Sequence, residues 1–291
     1  MIGIFLFTNV FTMKKNFFSR VPLYRKILCA FFSLIFIVSL SLFVFYTVQN
    51  EKGNTLYSDL KKDLFSGELS PVDRAKELFP FESVSNSDPL LSEYSAILDK
   101  TSEAISSLKE ENSDIFGWLT VSGTNIDYPA VRGDDNSFYL NHSYTGEYLS
   151  IGSVFADYRC SDPSDDRNTV FYAHNIKNGA MFHDVEKFFD KDFLNKQFIM
   201  LSTETALYIY KPFSVYESRS NYGYFKTSFA QADEFVSFAE EVAGNTEIIP
   251  TDTSVSFFGE KDRIITLSTC TNLSFGKRYV LHAKLIMTVQ K

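Results

Sequence analysis

The stretch Thr266-Leu267-Ser268-Thr269-Cys270 is the part of the chain that decides the fold. It belongs to an apolar, β-prone run, and it places a thiol where a strand should give way to a loop. Upstream, Val170-Phe171-Tyr172-Ala173 is typical of a strand that delivers His174 into a polar turn. Arg278 follows Cys270 at the start of another β-prone run. A thiol, an imidazole and a guanidinium at strand ends indicate a nucleophile, a proton carrier and an anion stabiliser.

Short β-prone runs separated by polar turns fill the chain from residue 115 onward. One helix with an apolar stripe, residues 231–243, interrupts the series before the run that ends in Cys270. The pattern predicts a mainly β (α+β) fold with an antiparallel or mixed β-barrel. The predicted strands cover residues 115–121, 126–131, 151–156, 168–173, 197–202, 206–216, 262–269 and 278–288.

Several of these runs resemble the sortases, the cysteine transpeptidases of Gram-positive cell surfaces. The run that ends in Cys270, the Tyr-Ala-His-Asn run at 172–175 and the Arg at 278 carry the first part of the resemblance. Four further segments resemble class B sortases, and the similarity covers roughly residues 88–285. These segments are Phe116-Gly117-Trp118-Leu119, Asn125-Ile126-Asp127-Tyr128-Pro129, Asp135-Asn136 with Tyr139-Leu140, and Gly179-Ala180-Met181-Phe182.

The resemblance implies an eight-stranded sortase-type β-barrel with N-terminal helices and one helix inserted before the Cys-bearing strand. It also implies the reaction. Cys270 cleaves a C-terminal sorting signal of a secreted protein through a thioester, and an amine takes the acyl group. His174 carries the proton, and Arg278 stabilises the oxyanion or positions the substrate. We expect no cofactor, because a thioester preserves the acyl energy of the peptide.

Residues beside these three are weaker candidates. Adjacent strand residues point to opposite faces, so only one of Lys277 and Arg278 faces the thiol, and the planar fork of Arg suits an oxyanion better. Ser268 and Thr269 are candidates for substrate binding, although strand hydroxyls are more often structural. Cys160 is read as an incidental thiol, since a disulfide with Cys270 would consume the nucleophile. No metal site is expected, because the chain has no Cys-x-x-Cys and no close His pair.

The N-terminal part predicts a single-pass membrane anchor. Five of the 28 basic residues and none of the 36 acidic residues lie in residues 1–26. Residues 27–48 are apolar and uncharged, and at about 1.5 Å per residue this helix spans about 33 Å, enough to cross a bilayer. The basic cluster comes first, so we expect the N-terminus in the cytoplasm and the rest outside the cell. A cleaved signal peptide is the alternative, although no small-x-small site follows the apolar run.

The remainder divides into an extracellular stalk, residues 49–87, and a catalytic domain, residues 88–291. The domain is expected to begin with a one-sided helix from Asp88-Pro89 to about Lys109. Met13 is an alternative start of translation. The acidic excess after residue 26 argues against nucleic-acid binding, which would need a basic face.

Three functions are compatible with these residues. One is an anchoring sortase that joins a surface protein to a peptidoglycan cross-bridge amine. Another is a class B-like pilin polymerase that uses a pilin Lys as the amine. The third is of another class, either a hydrolytic cysteine protease or an inactive surface binding module. Anchoring is favoured, because the loops after His174 and Cys270 are short and no pilin-docking insertion or lid is visible in the sequence.

Overall fold

Eight strands close into a barrel in the computed structural model, which describes residues 22–65, 89–270 and 276–291. The strands are β1 Ile115–Val121, β2 Asp127–Val131, β3 Val154–Ala156, β4 Asn168–Tyr172, β5 Ile199–Ser202, β6 Ala206–Arg219, β7 Ile264–Cys270 and β8 Lys277–Gln290. Their order around the barrel is β1-β2-β3-β4-β7-β8-β6-β5. The β2–β3 and β4–β7 pairs are parallel, and the others are antiparallel.

The predicted mainly β fold with eight barrel strands is confirmed, although several strand ends differ. β3 begins only at Val154 and not at residue 151. Gly152 has a φ of 63°, and a side chain there would meet the carbonyl oxygens of Tyr139 and Leu140, so the chain turns before the strand starts. β6 and β8 run further than predicted, because they pair with each other from Ala206–Gln290 to Arg219–Lys277.

Four α-helices accompany the barrel in the described part of the chain. They are α1 Leu23–Leu64, α2 Pro89–Glu111, α3 Lys191–Lys196 and α4 Ala232–Gly244. The predicted helix before the Cys-bearing strand is α4, and its apolar stripe packs against Phe213 of β6 and Ile264 of β7. α2 matches the helix expected at the start of the domain and buries Ile105 and Leu108 in the main core.

The barrel interior is filled by large apolar side chains, as expected for a small barrel. Fully buried members of this core include Trp118, Leu119, Phe155, Phe171, Phe182, Leu267 and Leu281. The packed interior leaves the strand ends as the places where polar side chains can meet a ligand.

The chain forms two compact units, residues 1–49 and Asn50–Lys291. In the described part of the first unit, α1 is exposed as far as Val48, and it is apolar and uncharged from Ile27 to Val48. By length and composition this helix could cross a membrane. Residues 1–21 lie outside the described residues. They include most of the expected cytoplasmic segment, residues 1–26, and the alternative start at Met13.

In the second unit, the last turns of α1 pack on the barrel. Tyr57 is only 3% exposed, and its hydroxyl donates to the carbonyl of Gly152 over 3.0 Å. The ring of Phe65 meets the Trp118 ring edge-on, with centroids 5.1 Å apart. The expected stalk over residues 49–87 therefore needs correction up to Phe65, because its aromatic side chains are buried against the barrel. Residues 66–88 lie outside the described part.

Candidate active site

The registers of three adjacent strands bring the predicted catalytic residues to one edge of the barrel. β4 and β7 are parallel, and Tyr172 pairs with Ser268. His174 and Cys270 each lie two residues beyond this pair. Because the two strands are parallel, both residues lie at the same edge of the sheet. On the other flank of β7, Cys270 pairs with Arg278 of β8.

A cleft of about 350 Å³ opens at this edge. His174, Arg278, Ser268 and Thr269 all line it, so four of the five predicted site residues meet around one space. For Cys270 the structure describes the backbone, and residues 271–275 lie outside the described part. Other side chains that line the cleft include Asn136, Leu140, Arg159, Tyr172, Tyr224 and Phe225.

His174 is half-buried, and both its ring and its backbone carbonyl make hydrogen bonds. Its Nε2 lies 2.7 Å from the carbonyl oxygen of Leu140. Because a carbonyl oxygen can only accept, Nε2 carries the hydrogen, and Nδ1 is the basic nitrogen of the neutral ring. The carbonyl of His174 accepts from the backbone N–H of Phe182 over 2.9 Å, and Asn175 bridges to Met181. The short loop after His174 is thus closed on itself, which fixes where the imidazole stands.

Arg278 and its neighbour Lys277 separate as expected for adjacent strand residues. The Arg278 side chain lines the cleft and is half-buried. Lys277 does not line it, and its Nζ lies 2.6 Å from a carboxylate oxygen of Glu217 on β6. Only one of the two cations therefore reaches the space beside the end of β7, and it is the guanidinium.

The same strands and residues lie within a region that matches a known protein family. The sortase domain family matches residues 119–286, which span more than half of the chain, from β1 into β8. The chain belongs to the sortase family. This match covers β4, β7 and most of β8, the three strands that meet at the cleft.

Individual relatives narrow the family to one class. The chain is 40% identical to sortase B of Listeria monocytogenes over 183 residues, which cover 62% of this chain and 72% of that protein. The solved structure of Bacillus anthracis sortase B aligns with a TM-score of 0.62 at 29% identity and covers 84% of this chain and 100% of that one. A Staphylococcus aureus sortase B–substrate complex aligns with a TM-score of 0.59 at 30% identity, covering 69% and 94%. The chain is therefore a class B sortase, a cysteine transpeptidase, and the resemblance described above is confirmed.

The two hydroxyl residues before the sortase's Cys270 differ in their contacts. Ser268 is buried, and its Oγ lies 2.9 Å from the hydroxyl of Tyr224. Thr269 is also buried, and its Oγ1 has no hydrogen-bond partner within the described part of the chain. A buried hydroxyl without a partner at the edge of a cleft is suited to a bound peptide. The assignment of both residues to substrate binding remains a prediction.

Sequence reasoning missed a charged pair, Asp157 and Arg159, beside the cleft; Arg159 is the member that lines it. Asp157 is completely buried and accepts two hydrogen bonds of 2.7 Å, from Nε and Nη2 of Arg159. Burial by itself would raise the pKa of Asp157, but the bonds from Arg159 and from the Tyr172 hydroxyl outweigh it and hold this pKa below its usual value. The available signal was Asp157-Tyr158-Arg159, two opposite charges directly after an apolar strand.

The other histidines and Cys160 do not line the cleft. His282 is buried between the hydroxyls of Tyr216 and Thr266, and burial lowers its pKa to about 3, so it stays neutral. Nε2 of His183 lies 3.3 Å from a carboxylate oxygen of Glu186. Cys160 is a free, buried thiol, and burial raises its pKa to about 12, so it is a poor nucleophile. Within the described residues, no group of three His, Cys, Asp or Glu is placed to hold a metal ion.

Proposed function

We propose that this sortase cleaves the C-terminal sorting signal of secreted proteins through a thioester on Cys270 and transfers the acyl group to an amine of a peptidoglycan cross-bridge. The observation that carries the proposal is the shared register of β4, β7 and β8, which sets His174, Cys270 and Arg278 at neighbouring positions beside one cleft. A nucleophile, a proton carrier and an oxyanion donor at one edge make up the minimal set for acyl transfer through a thioester.

The first half-reaction acylates the enzyme. The thiol proton passes to the basic Nδ1 of His174, and the Cys270 sulfur attacks a backbone carbonyl of the sorting signal. Negative charge develops on the carbonyl oxygen, where the guanidinium of Arg278 donates hydrogen bonds. As the C–N bond breaks, His174 returns the proton to the leaving amine, and the acyl group remains on sulfur as a thioester.

The second half-reaction releases the product. An incoming amine attacks the thioester carbonyl, and the ring of His174 accepts the proton that the nitrogen loses. A new amide bond forms as the C–S bond breaks, and Cys270 leaves as the thiolate. The imidazolium and thiolate produced in this way are ready for the next substrate, so the cycle needs no redox partner.

The membrane is the second part of the proposal. The helix that begins at Leu23 is apolar and exposed from Ile27 to Val48, and a cluster of basic residues that ends with Arg25 and Lys26 precedes this span. These features support a single-pass anchor over residues 27–48 with a cytoplasmic N-terminus and an extracellular catalytic domain. Such an anchor would keep the cleft near secreted substrates and near the precursors of the cell wall.

Two features support a small, flexible acceptor rather than a folded pilin. The loop after His174 closes within a few residues through the Asn175–Met181 bridge, and β8 resumes at Lys277 shortly after Cys270. Neither connection is long enough to form a broad docking surface for a folded protein. A cross-bridge amine on a flexible peptide needs only a groove.

The test offers the purified full chain a sorting-signal peptide with either a short cross-bridge-like amine or a folded pilin. We expect an acyl-enzyme by mass spectrometry and a transpeptidation product with the short amine. Cys270→Ala should abolish the acyl-enzyme, and the matched Cys160→Ala variant should retain it. Ladders formed only with the pilin would replace anchoring by polymerisation. Release of free acid alone would mean a hydrolase, and no acyl-enzyme with any sorting peptide would mean a binding module.

A further inference from the structure

One wall of the cleft is a segment that, among the described residues, is joined to the β8 side of the sheet by a single backbone hydrogen bond, from the N–H of Ser220 to the carbonyl of Gly276 over 3.0 Å. Residues 220–226, here called the wall segment, follow β6 and contribute Ser220, Tyr224 and Phe225 to the cleft. The segment contains only a single 3₁₀ turn, Gly223–Phe225. Beyond Ser220 the segment is positioned mainly by the side chains that contact it, because the ladder of strand hydrogen bonds does not continue there.

Glu241 and Glu234 of α4 accept hydrogen bonds from the Tyr222 hydroxyl and the Lys226 ammonium on one side of the wall segment. Three further side chains contact it from the cleft side. Nη2 of Arg159 donates to the carbonyl of Phe225 over 3.0 Å, and Nδ2 of Asn168 donates to the carbonyl of Lys226 over 2.9 Å. The Tyr224 hydroxyl lies 2.9 Å from Oγ of Ser268. Of the three contacts from the cleft side, the one from Arg159 is the charge-assisted one.

Arg159 does two things with one planar group. Its Nε and Nη2 clasp the two oxygens of Asp157, and the same Nη2 reaches the Phe225 carbonyl. The guanidinium also lies 5.6 Å from the centroid of the Phe225 ring, within cation–π range. A lysine ammonium could keep one of these contacts but could not span both, because it is a single point on a flexible stem.

The contacts of Arg159 with Asp157 and Phe225 are here called the clamp. Asp157 connects the clamp to the side of the cleft that carries His174. Its Oδ2 accepts from Nδ2 of Asn136 over 2.9 Å and from the hydroxyl of Tyr172, also over 2.9 Å. Tyr172 is the last residue of β4, two positions before His174. The hydrogen bonds from Arg159 also raise the pKa of its own guanidinium above the ordinary value, so the pair stays charged. One continuous set of contacts thus joins the wall segment to the strand that delivers the histidine.

We propose that Arg159 is a positioning residue, which together with Asp157 sets the distance between the wall segment and the His174 side of the cleft and so determines how tightly a substrate peptide is held. The proposal rests on the proposed function, because it takes a sorting-signal peptide as the ligand. Arg159 acts through the Phe225 backbone, so its loss should weaken binding of the peptide more than the chemical step.

The test compares Arg159→Lys with Arg132→Lys. Arg132 is a matched control, because it too donates to loop carbonyls, those of Cys160 and Ser161, each over 2.8 Å, and it does not line the cleft. Hydrogen exchange of the amides in residues 220–226 is measured by mass spectrometry on the full chain. KM and kcat for a sorting-signal peptide are measured in parallel.

We expect Arg159→Lys to speed exchange in the wall segment and to raise KM, each by about tenfold, with kcat changed by less than about threefold. Arg132→Lys should do neither. Equal exchange in both variants, or a fall in kcat with unchanged KM, would overturn the clamp.

If Arg159→Lys does not fold, the double variant Asp157→Asn with Arg159→Gln replaces it. This variant removes both charges together and keeps an amide pair, but the shorter Gln does not reach Phe225. The same increases in exchange and KM are expected, and their absence would overturn the clamp. Hydrogen exchange is measured without substrate, so it tests the clamp separately from the proposed function. A wild-type enzyme that cleaves no sorting peptide would contradict the proposed function, and the exchange rates would still show whether Arg159 holds the wall segment.

Discussion

Replacing Arg278 by Lys tests whether the guanidinium stabilises the oxyanion. Arg278 lines the cleft at the position paired with Cys270, and its fork can present two N–H groups to one oxygen. Loss of one oxyanion donor typically lowers the rate by about 10² to 10³, or about 2.7–4 kcal/mol. Lys keeps the positive charge and loses the fork, and Arg278 is only half-buried, so we expect the lower figure. Arg278→Lys should reduce kcat/KM for acylation about 100-fold.

The assay is single-turnover release of the C-terminal part of a fluorescent sorting peptide. Lys277→Ala is the matched control, because Lys277 is the neighbouring cation, is tied to Glu217 and does not line the cleft. An exposed ion pair of this kind contributes about 1 kcal/mol or less to stability. Because Lys277 does not reach the cleft, the acylation rate should change by less than about twofold. Equal losses in the two variants would refute the reasoning and would point to general surface charge instead of a directed donor.

Two further predictions concern stability. His282 has a pKa lowered to about 3 by burial, below the ordinary value of about 6.5, so its contribution is complete above pH 6.5 and is lost as the pH falls from there toward 3. His282→Gln should therefore flatten the fall in unfolding free energy over this range in urea melts at several pH values, and an unchanged slope would contradict the buried neutral imidazole. A fragment of residues 50–291 should stay folded, whereas Tyr57→Ala in that fragment should lose about 3 kcal/mol by urea denaturation, because the Tyr57 ring is buried against the barrel. A loss below about 1 kcal/mol would show that the end of α1 does not contribute to the domain.

Local patterns were sufficient for much of this protein. Alternating β-prone runs predicted the barrel strands, and the apolar stripe of residues 231–243 predicted α4 within one residue at each end. These features depend on residues close together in the chain, where side-chain periodicity reports which face is buried. The resemblance in the motif segments also named the family and the chemistry before any contact was known.

Contacts between distant residues were beyond such patterns. Nothing in Asp157-Tyr158-Arg159 indicates that its guanidinium reaches the carbonyl of Phe225, 66 positions later. The burial of Tyr57 against the barrel was likewise hidden, because the surrounding residues are polar and read as a stalk. In both cases the partner lies on an element that only the closed barrel brings near.

The sequence by itself determined the building blocks and the reactive groups: eight β-prone runs, an apolar N-terminal helix, and a Cys, a His and an Arg at strand ends. The tertiary structure decided which strands became neighbours. Pairing β4 with β7 in parallel places His174 beside Cys270, and pairing β7 with β8 selects Arg278 over Lys277. Such registers follow from closing a barrel around one packed core, a condition that involves all eight strands at once and that no single stretch of sequence contains.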